Sequence, residues 1–161
     1  MAEGLSPRPL ASLVRRVEPL VETDNLAEAA VRIADAGGGL PVVDADGSLR
    51  GYLSERDLIE AFFPPYLKQL RNTEFITRDF PSLIRRAREA AGGTVGEHMS
   101  REPLAVDDRD SESHAAELFI HHGVRNLPAV DAAGRVVGVV RLSDVIRSLL
   151  EACGALPDRA D

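Results

Sequence analysis

One stretch of this chain is written twice. Residues 40–61, LPVVDADGSLRGYLSERDLIEA, align without a gap on residues 127–148, LPAVDAAGRVVGVVRLSDVIRS, with nine identities in 22 positions, where average composition gives about one or two. A duplication of that quality constrains the fold to two like units. Upstream, LAEAAVRIADAGGG faces SHAAELFIHHGVRN, small and apolar residues at helical spacing that end in a turn. Before those stand EPLVETDNL and EPLAVDDRDS, short strands that lead into acidic helix starts.

Each unit therefore reads strand, helix, strand, turn, strand, helix. LPVVD is a buried strand, DADG at 44–47 is a hairpin turn, SLRGYLS pairs back on it, and RDLIEAFF opens a helix. The order implies an α+β fold of two β-α-β-β-α repeats. A unit of about 55 residues has little core of its own, so the two are expected to pack as a pseudo-twofold pair. The boundaries expected from the repeat are 1–62 for the first copy, 63–93 for a connector, 94–152 for the second copy and 153–161 for a tail. The connector has its own helical signal: FPSLIRRAREAA aligns Phe80, Leu83, Ile84, Ala87 and Ala91 in one stripe, with Pro81 tolerated in the first turn. The closing GALPDRAD reads as a frayed end.

Composition narrows the function classes. A formal charge of −7 over 161 residues argues against nucleic acid as a partner, because phosphate-backbone binding rests on clustered Lys and Arg. No apolar run is long enough for a membrane span or signal peptide, and the single Cys153 cannot close an internal disulfide. A cytoplasmic protein is expected. Arg8, Arg15 and Arg16 hint at a transit peptide, but Glu3 and Glu18 interrupt them and the segment reads as a helix start.

The pattern resembles the tandem CBS-domain pair, or Bateman module. The resemblance is carried by LPVVD and LPAVD, by the D-G turns after them, by the phrases GYLSERD at 51–57 and GVVRLSD at 138–144, and by VGEHMS at 95–100, which is similar to a lead-in to one unit. It covers nearly the whole chain apart from the connector. It implies a non-catalytic regulatory module whose paired units form clefts for an adenosyl ligand: AMP, ADP, ATP, NAD or S-adenosylmethionine. It also implies a homodimer and no required cofactor. With no effector domain in the chain, the output would pass to an unidentified effector protein.

Residue chemistry supports such a site. A carboxylate accepts from both hydroxyls of a ribose diol, which suits Asp57 and Asp144, and the free N–H groups of the helix start beside each suit a phosphate. Ser54 and Arg141 occupy the slot nearest that phosphate, and Arg56 and Ser143 the second polar slot. Serine and arginine are thus exchanged between the copies. A guanidinium clamps phosphate oxygens, so the exchange fits a charged phosphate chain. A second reading stays open: Ser54-x-x-Asp57 also fits a capping box that only closes a helix start. Arg141 cannot cap as Ser54 does, yet Asp144 is retained. The Asp57 side is the more family-like of the two.

The resemblance also places Gly37, Gly38 and Gly39, and in the second copy Val124, Arg125 and Asn126, along the ligand. Glycine there allows a base to approach the backbone, or merely makes a flexible turn. Thr94 and Gly96 would line one cleft and Ser12 the other. A metal site is not expected, since His114 and His121 lie seven apart on a helix, about 10 Å along its axis. His98 and Cys153 have no partner in sequence, and no phosphate loop or nucleophile motif occurs. The reading that competes with a sensor is a dimerisation or scaffold module with degenerate, ligand-free pockets.

Overall fold

The computed structural model describes residues 8–63, 65 and 79–155. Residues 1–7, 64, 66–78 and 156–161 lie outside the described residues, so the expectations for the connector's first half and the chain end fall there. Among the described residues the elements are mixed α and β: five α-helices and two small sheets. Two compact units divide the chain, one holding Pro19–Pro103 and the other combining the stretch up to Glu18 with that from Leu104 onward. These spatial units cut the chain differently from the sequence repeats, because each lead-in segment packs with the opposite copy.

In the Pro19–Pro103 unit, Leu20 bridges in parallel to Val42. Helix α1 (Leu26–Ala36) follows, then strands β1 (Leu40–Val43) and β2 (Leu49–Leu53), helix α2 (Glu55–Phe62) and helix α3 (Phe80–Ala91). All four β1 residues are buried, as the unbroken apolar run requires. Helix α3 packs against α2 and α1 and belongs to this unit. Its stripe is only partly used. Leu83 turns inward, whereas Phe80 and Ile84 stay exposed. The join to α1 is polar: Asn25 caps α1 by accepting from the N–H groups of Ala27 and Glu28, while its Nδ2 donates to the Ala91 carbonyl at 3.0 Å.

The other unit repeats the plan. Strand β3 (Val106–Asp107) pairs in parallel with β4 (Asn126–Val130), helix α4 (Glu112–His122) lies between them in sequence, and β5 (Val136–Arg141) leads into helix α5 (Leu142–Ala152). Leu10, Val106, Ala115, Phe119, Leu127, Ala129, Val140 and Val145 make the core. The hairpins agree down to their irregularity: Val42 faces Gly51 and Ala129 faces Gly138, and the register shifts at the next residue in both.

The paired D-G turns explain the retained aspartates. Asp44 Oδ1 accepts from the N–H groups of Asp46 and Ser48, and Asp131 Oδ1 accepts from those of Ala133 and Arg135, all at 2.9–3.0 Å. Gly47 and Gly134 close the turns at φ 81° and 78°, where a side chain would be strained. These backbone bonds are the largest cause holding both carboxyls below the ordinary range.

The glycines of the signature phrases have a different purpose. A Cβ on Gly51 would stand 2.7 Å from the Met99 sulfur and the Ser100 carbonyl, and one on Gly138 would collide with the Arg15 carbonyl and the Val14 side chain. The lead-in segments cross the hairpins at these points. Tyr52 and Ser100 exchange backbone hydrogen bonds of 3.0 and 2.9 Å, as Val139 and Arg15 do at 2.9 and 2.8 Å. A 3-10 turn precedes each crossing, Leu10–Leu13 and Val95–Glu97, with Leu10 and Val95 fully buried. Arg15 and Arg16 therefore sit on extended chain beyond a single short turn, and Arg8 lies before that turn, in place of the expected helix start.

Candidate functional site

Both signature aspartates stand at the third position of a helix, in the first turn of α2 and of α5. Their surroundings diverge. Ser54 precedes α2 in an extended conformation, and its Oγ accepts from the Asp57 N–H at 3.2 Å. Asp57 Oδ2 accepts in return from the Ser54 N–H at 2.7 Å and the Ser54 hydroxyl at 2.6 Å. The capping box is formed. It uses one carboxylate oxygen only, for Asp57 Oδ1 accepts no hydrogen bond among the described residues.

Arg141 holds the cap position of α5 and makes no side-chain cap bond. Asp144 is turned instead towards the lead-in, where Arg15 grips both of its oxygens: Nε donates to Oδ2 at 2.6 Å and Nη2 to Oδ1 at 2.7 Å. The carboxylate side chain is 10% exposed and the guanidinium 54%. Arg15 thus seals a buried acid from the solvent side, a planar two-bond match that lysine cannot make. The Arg15 bonds hold the Asp144 carboxyl below the ordinary carboxylate range against its burial, with weaker attraction from Arg141 and Arg147. The same pair raises Arg15.

A pocket of about 260 Å³ opens here, lined among others by Ser12, Arg15, Asp144, Arg147, Ser148 and Glu151. Its floor is tied down: the Ser148 hydroxyl donates to Glu112 Oε2 at 2.6 Å, and Glu112 Oε1 accepts from the Arg8 N–H. The lining sets two cations, Arg15 and Arg147, against two carboxylates, Asp144 and Glu151, with the Ser12 and Ser148 hydroxyls beside them.

The remaining candidates scatter. Ser12 lies with Asp144 in the pocket. Arg56 is directed outward to Glu60 at 3.4 Å, its side chain 84% exposed. Ser143 and Arg125 are exposed, Val124 is half-buried, and Asn126 is buried at the head of β4 opposite Arg141. The Arg125 carbonyl accepts from the Leu142 N–H, which fixes the start of α5. In the other unit, Gly37 closes α1 at φ 70°, Gly38 is buried, and the space at Gly39 is filled by the Tyr52 ring and the Leu53 carbonyl. The turn reading fits Gly37, and at Gly39 the approaching ring is the protein's own. Thr94 donates its N–H and its hydroxyl to Glu97 Oε2 across its 3-10 turn, and Gly96 packs on Glu22.

Arg15 and Arg147 are not among the site residues expected from sequence. The available signal for Arg15 was the duplicated glycine, which marks where a second backbone passes. Among the described residues no group of three His, Cys, Asp or Glu is placed to hold a metal ion, and no helix is long and apolar enough to cross a membrane.

Comparison with known proteins agrees with this duplicated architecture. The CBS domain family model matches residues 12–64 and 95–151. The CBS domain-containing protein CBSX1 of Arabidopsis thaliana, named as chloroplastic, is 29% identical over 140 residues, 84% of this chain and 58% of that protein. A CBS domain-containing protein of Dictyostelium discoideum is 31% identical over 121 residues, 75% of each chain. The chain thus spans under two thirds of the Arabidopsis relatives' length. The crystal structure of CBSX2 from Arabidopsis thaliana superposes with a TM-score of 0.73 at 23% identity, over 92% of this chain and 99% of that one. CBSX2 has also been solved in complex with AMP, matching at a TM-score of 0.67 and 24% identity over 89% and 97% of the chains. With both of its units covered by the family model, the chain belongs to the CBS domain family as a tandem CBS-domain pair.

Proposed function

We propose that the protein is a non-catalytic regulatory module that binds an adenosyl ligand at its signature carboxylates and passes the bound state to a partner protein. The observation that carries this reading is Asp57. Its capping role engages Oδ2 alone and leaves Oδ1, at a helix start, able to accept from a ribose hydroxyl. The neighbouring N–H groups of α2 suit the phosphate. The AMP complex of CBSX2 supports the choice of ligand class, and an archaeal structural neighbour described as a putative homologue of an AMP-activated kinase γ subunit supports a regulatory role. A cytoplasmic setting and a homodimer are part of the proposal. Apolar faces support the latter: Ile59 and Phe63 on one unit, Ile146 and Leu149 on the other, are exposed.

The test is a thermal-shift series with AMP, ADP, ATP, NAD and S-adenosylmethionine, with GTP as the control for base. A ligand at a hundredfold excess over its dissociation constant should stabilise by about 2.7 kcal/mol. Flat melting curves for all five at millimolar concentration would sink the sensor reading. One observation favours the competing reading of a scaffold with a degenerate pocket: Asp144 is already occupied by Arg15. That would leave the second copy as packing alone.

A further inference from the structure

We infer that Arg15 is an intramolecular latch on the second signature carboxylate, so that this pocket admits a nucleoside only when Arg15 withdraws. The inference rests on the adenosyl reading above. Its ground is a comparison the molecule makes with itself. Arg15 and Ser100 hold the same place in the two units, each bridged to the residue after the signature glycine, Val139 and Tyr52. Where the first copy has a short hydroxyl side chain, the second has a guanidinium that reaches Asp144 and takes both oxygens. A ribose hydroxyl would have to compete for an oxygen that Arg15 already holds, whereas Asp57 keeps one oxygen outside its cap.

Geometry makes the latch removable. Arg15 is anchored through its backbone, whose two bonds to Val139 do not involve the side chain. The guanidinium is half-exposed and can swing into water while the crossing stays intact. With the side chain in place the pocket is about 260 Å³, below the range of about 300–1,000 Å³ usual for small-molecule sites. Withdrawal would enlarge it and free Asp144, and would leave Arg15 and Arg147 on the rim to meet a phosphate. The two copies would then differ in threshold, the first open and the second gated.

Titration calorimetry with AMP on the full chain tests this. The wild type is expected to bind one equivalent per chain, Arg15→Ala two, and the double variant Arg15→Ala with Asp144→Asn one. Arg15→Gln, which keeps a polar stem, should likewise give two, and circular dichroism confirms folding. Two equivalents in the wild type, or one in both Arg15 variants, overturns the latch while leaving the adenosyl reading standing. No binding by any of these proteins overturns that reading and the latch with it. A measurement on the wild type alone guards against misfolded variants. The Arg15 Nε–H should exchange with water at least tenfold more slowly than that of the exposed Arg56, and equal exchange overturns the latch.

Discussion

Arg15 and Asp144, 129 residues apart in sequence, form a planar two-bond pair of 2.6 and 2.7 Å that ties the N-terminal lead-in to the first turn of α5. The pair joins a half-exposed cation to a buried anion, so its energy depends on the ionisation of the acid.

Arg15→Ala is therefore expected to lower the stability of the unliganded protein by about 1–2 kcal/mol, the low end for charge-assisted bonds because solvent screens Arg15. The folded-state pKa of Asp144 lies below its unfolded value. Its contribution is present above the unfolded value, near 3.9, and is lost as pH falls through the lower folded value. The difference in melting temperature between wild type and variant should shrink on acidification below about pH 4. A difference that stays constant from pH 7 to pH 3 would show that the loss does not come from the ionised pair.

The crossing glycines are expected to tolerate nothing larger. Gly138→Ala drives a methyl into the Arg15 carbonyl, and Gly51→Ala into the Ser100 carbonyl. Backbone cannot yield as a flexible side chain does. Each substitution should cost about 1–3 kcal/mol, read as a lower urea midpoint, and Gly138→Ala should also speed exchange at the Arg15 Nε–H. Unchanged midpoints would mean that the lead-ins lift away freely.

Much of this fold was legible because duplication carries register with it. The D-G turns, the hairpins and the helices after the acidic lead-in stretches follow from residues that act on neighbours a few positions away, whereas the register shift the two hairpins share is seen only in the structure. The exchange of lead-ins was not legible. Leu20, Arg15 and Ser100 make isolated bridges, too short to leave an alternating pattern, and their partners are 22, 124 and 48 positions distant. For the same reason Arg15 read, with Arg8 and Arg16, as part of a helix start, and the outward pairing of Arg56 with Glu60 one turn along α2 was not legible in the motif either. Side-chain direction at a helix start depends on what packs beside it, which a motif does not contain.

Asn25 offers a test of how α3 is held. Asn25→Asp keeps an oxygen for the α1 cap but loses the Nδ2 donor to Ala91, whereas Asn25→Ala loses both. The alanine variant should cost about 1 kcal/mol through the cap. The aspartate variant should leave α1 intact and raise amide exchange across Phe80–Ala91. If both variants leave that helix equally protected, its packing on α2 suffices.

Assembly can be probed on the two apolar faces. Ile59→Glu and Leu149→Glu replace residues that are 57% and 52% exposed and should not disturb either core. If a homodimer buries these faces, at least about 1,200 Å² is needed in total for a stable contact, and one or both substitutions should halve the mass seen by light scattering. A wild type that is monomeric at tens of micromolar would refute the dimer directly.

Asp57 and Ser54 separate capping from recognition. Asp57→Asn retains an oxygen for the Ser54 N–H, so the start of α2 should survive with a loss of no more than about 1 kcal/mol. A neutral amide with one acceptor cannot serve both the cap and a ribose hydroxyl as the carboxylate can, so affinity for AMP should fall at least tenfold. Ser54→Ala reverses the emphasis: it removes the oxygen that caps the Asp57 N–H, which should cost about 1 kcal/mol, while Asp57 stays charged and free to meet the ribose. Calorimetry and thermal melts on the two variants give four numbers. A ribose site predicts that binding follows Asp57 and melting follows Ser54. If Asp57→Asn binds AMP as the wild type does but melts several degrees lower, the carboxylate is a cap and nothing more.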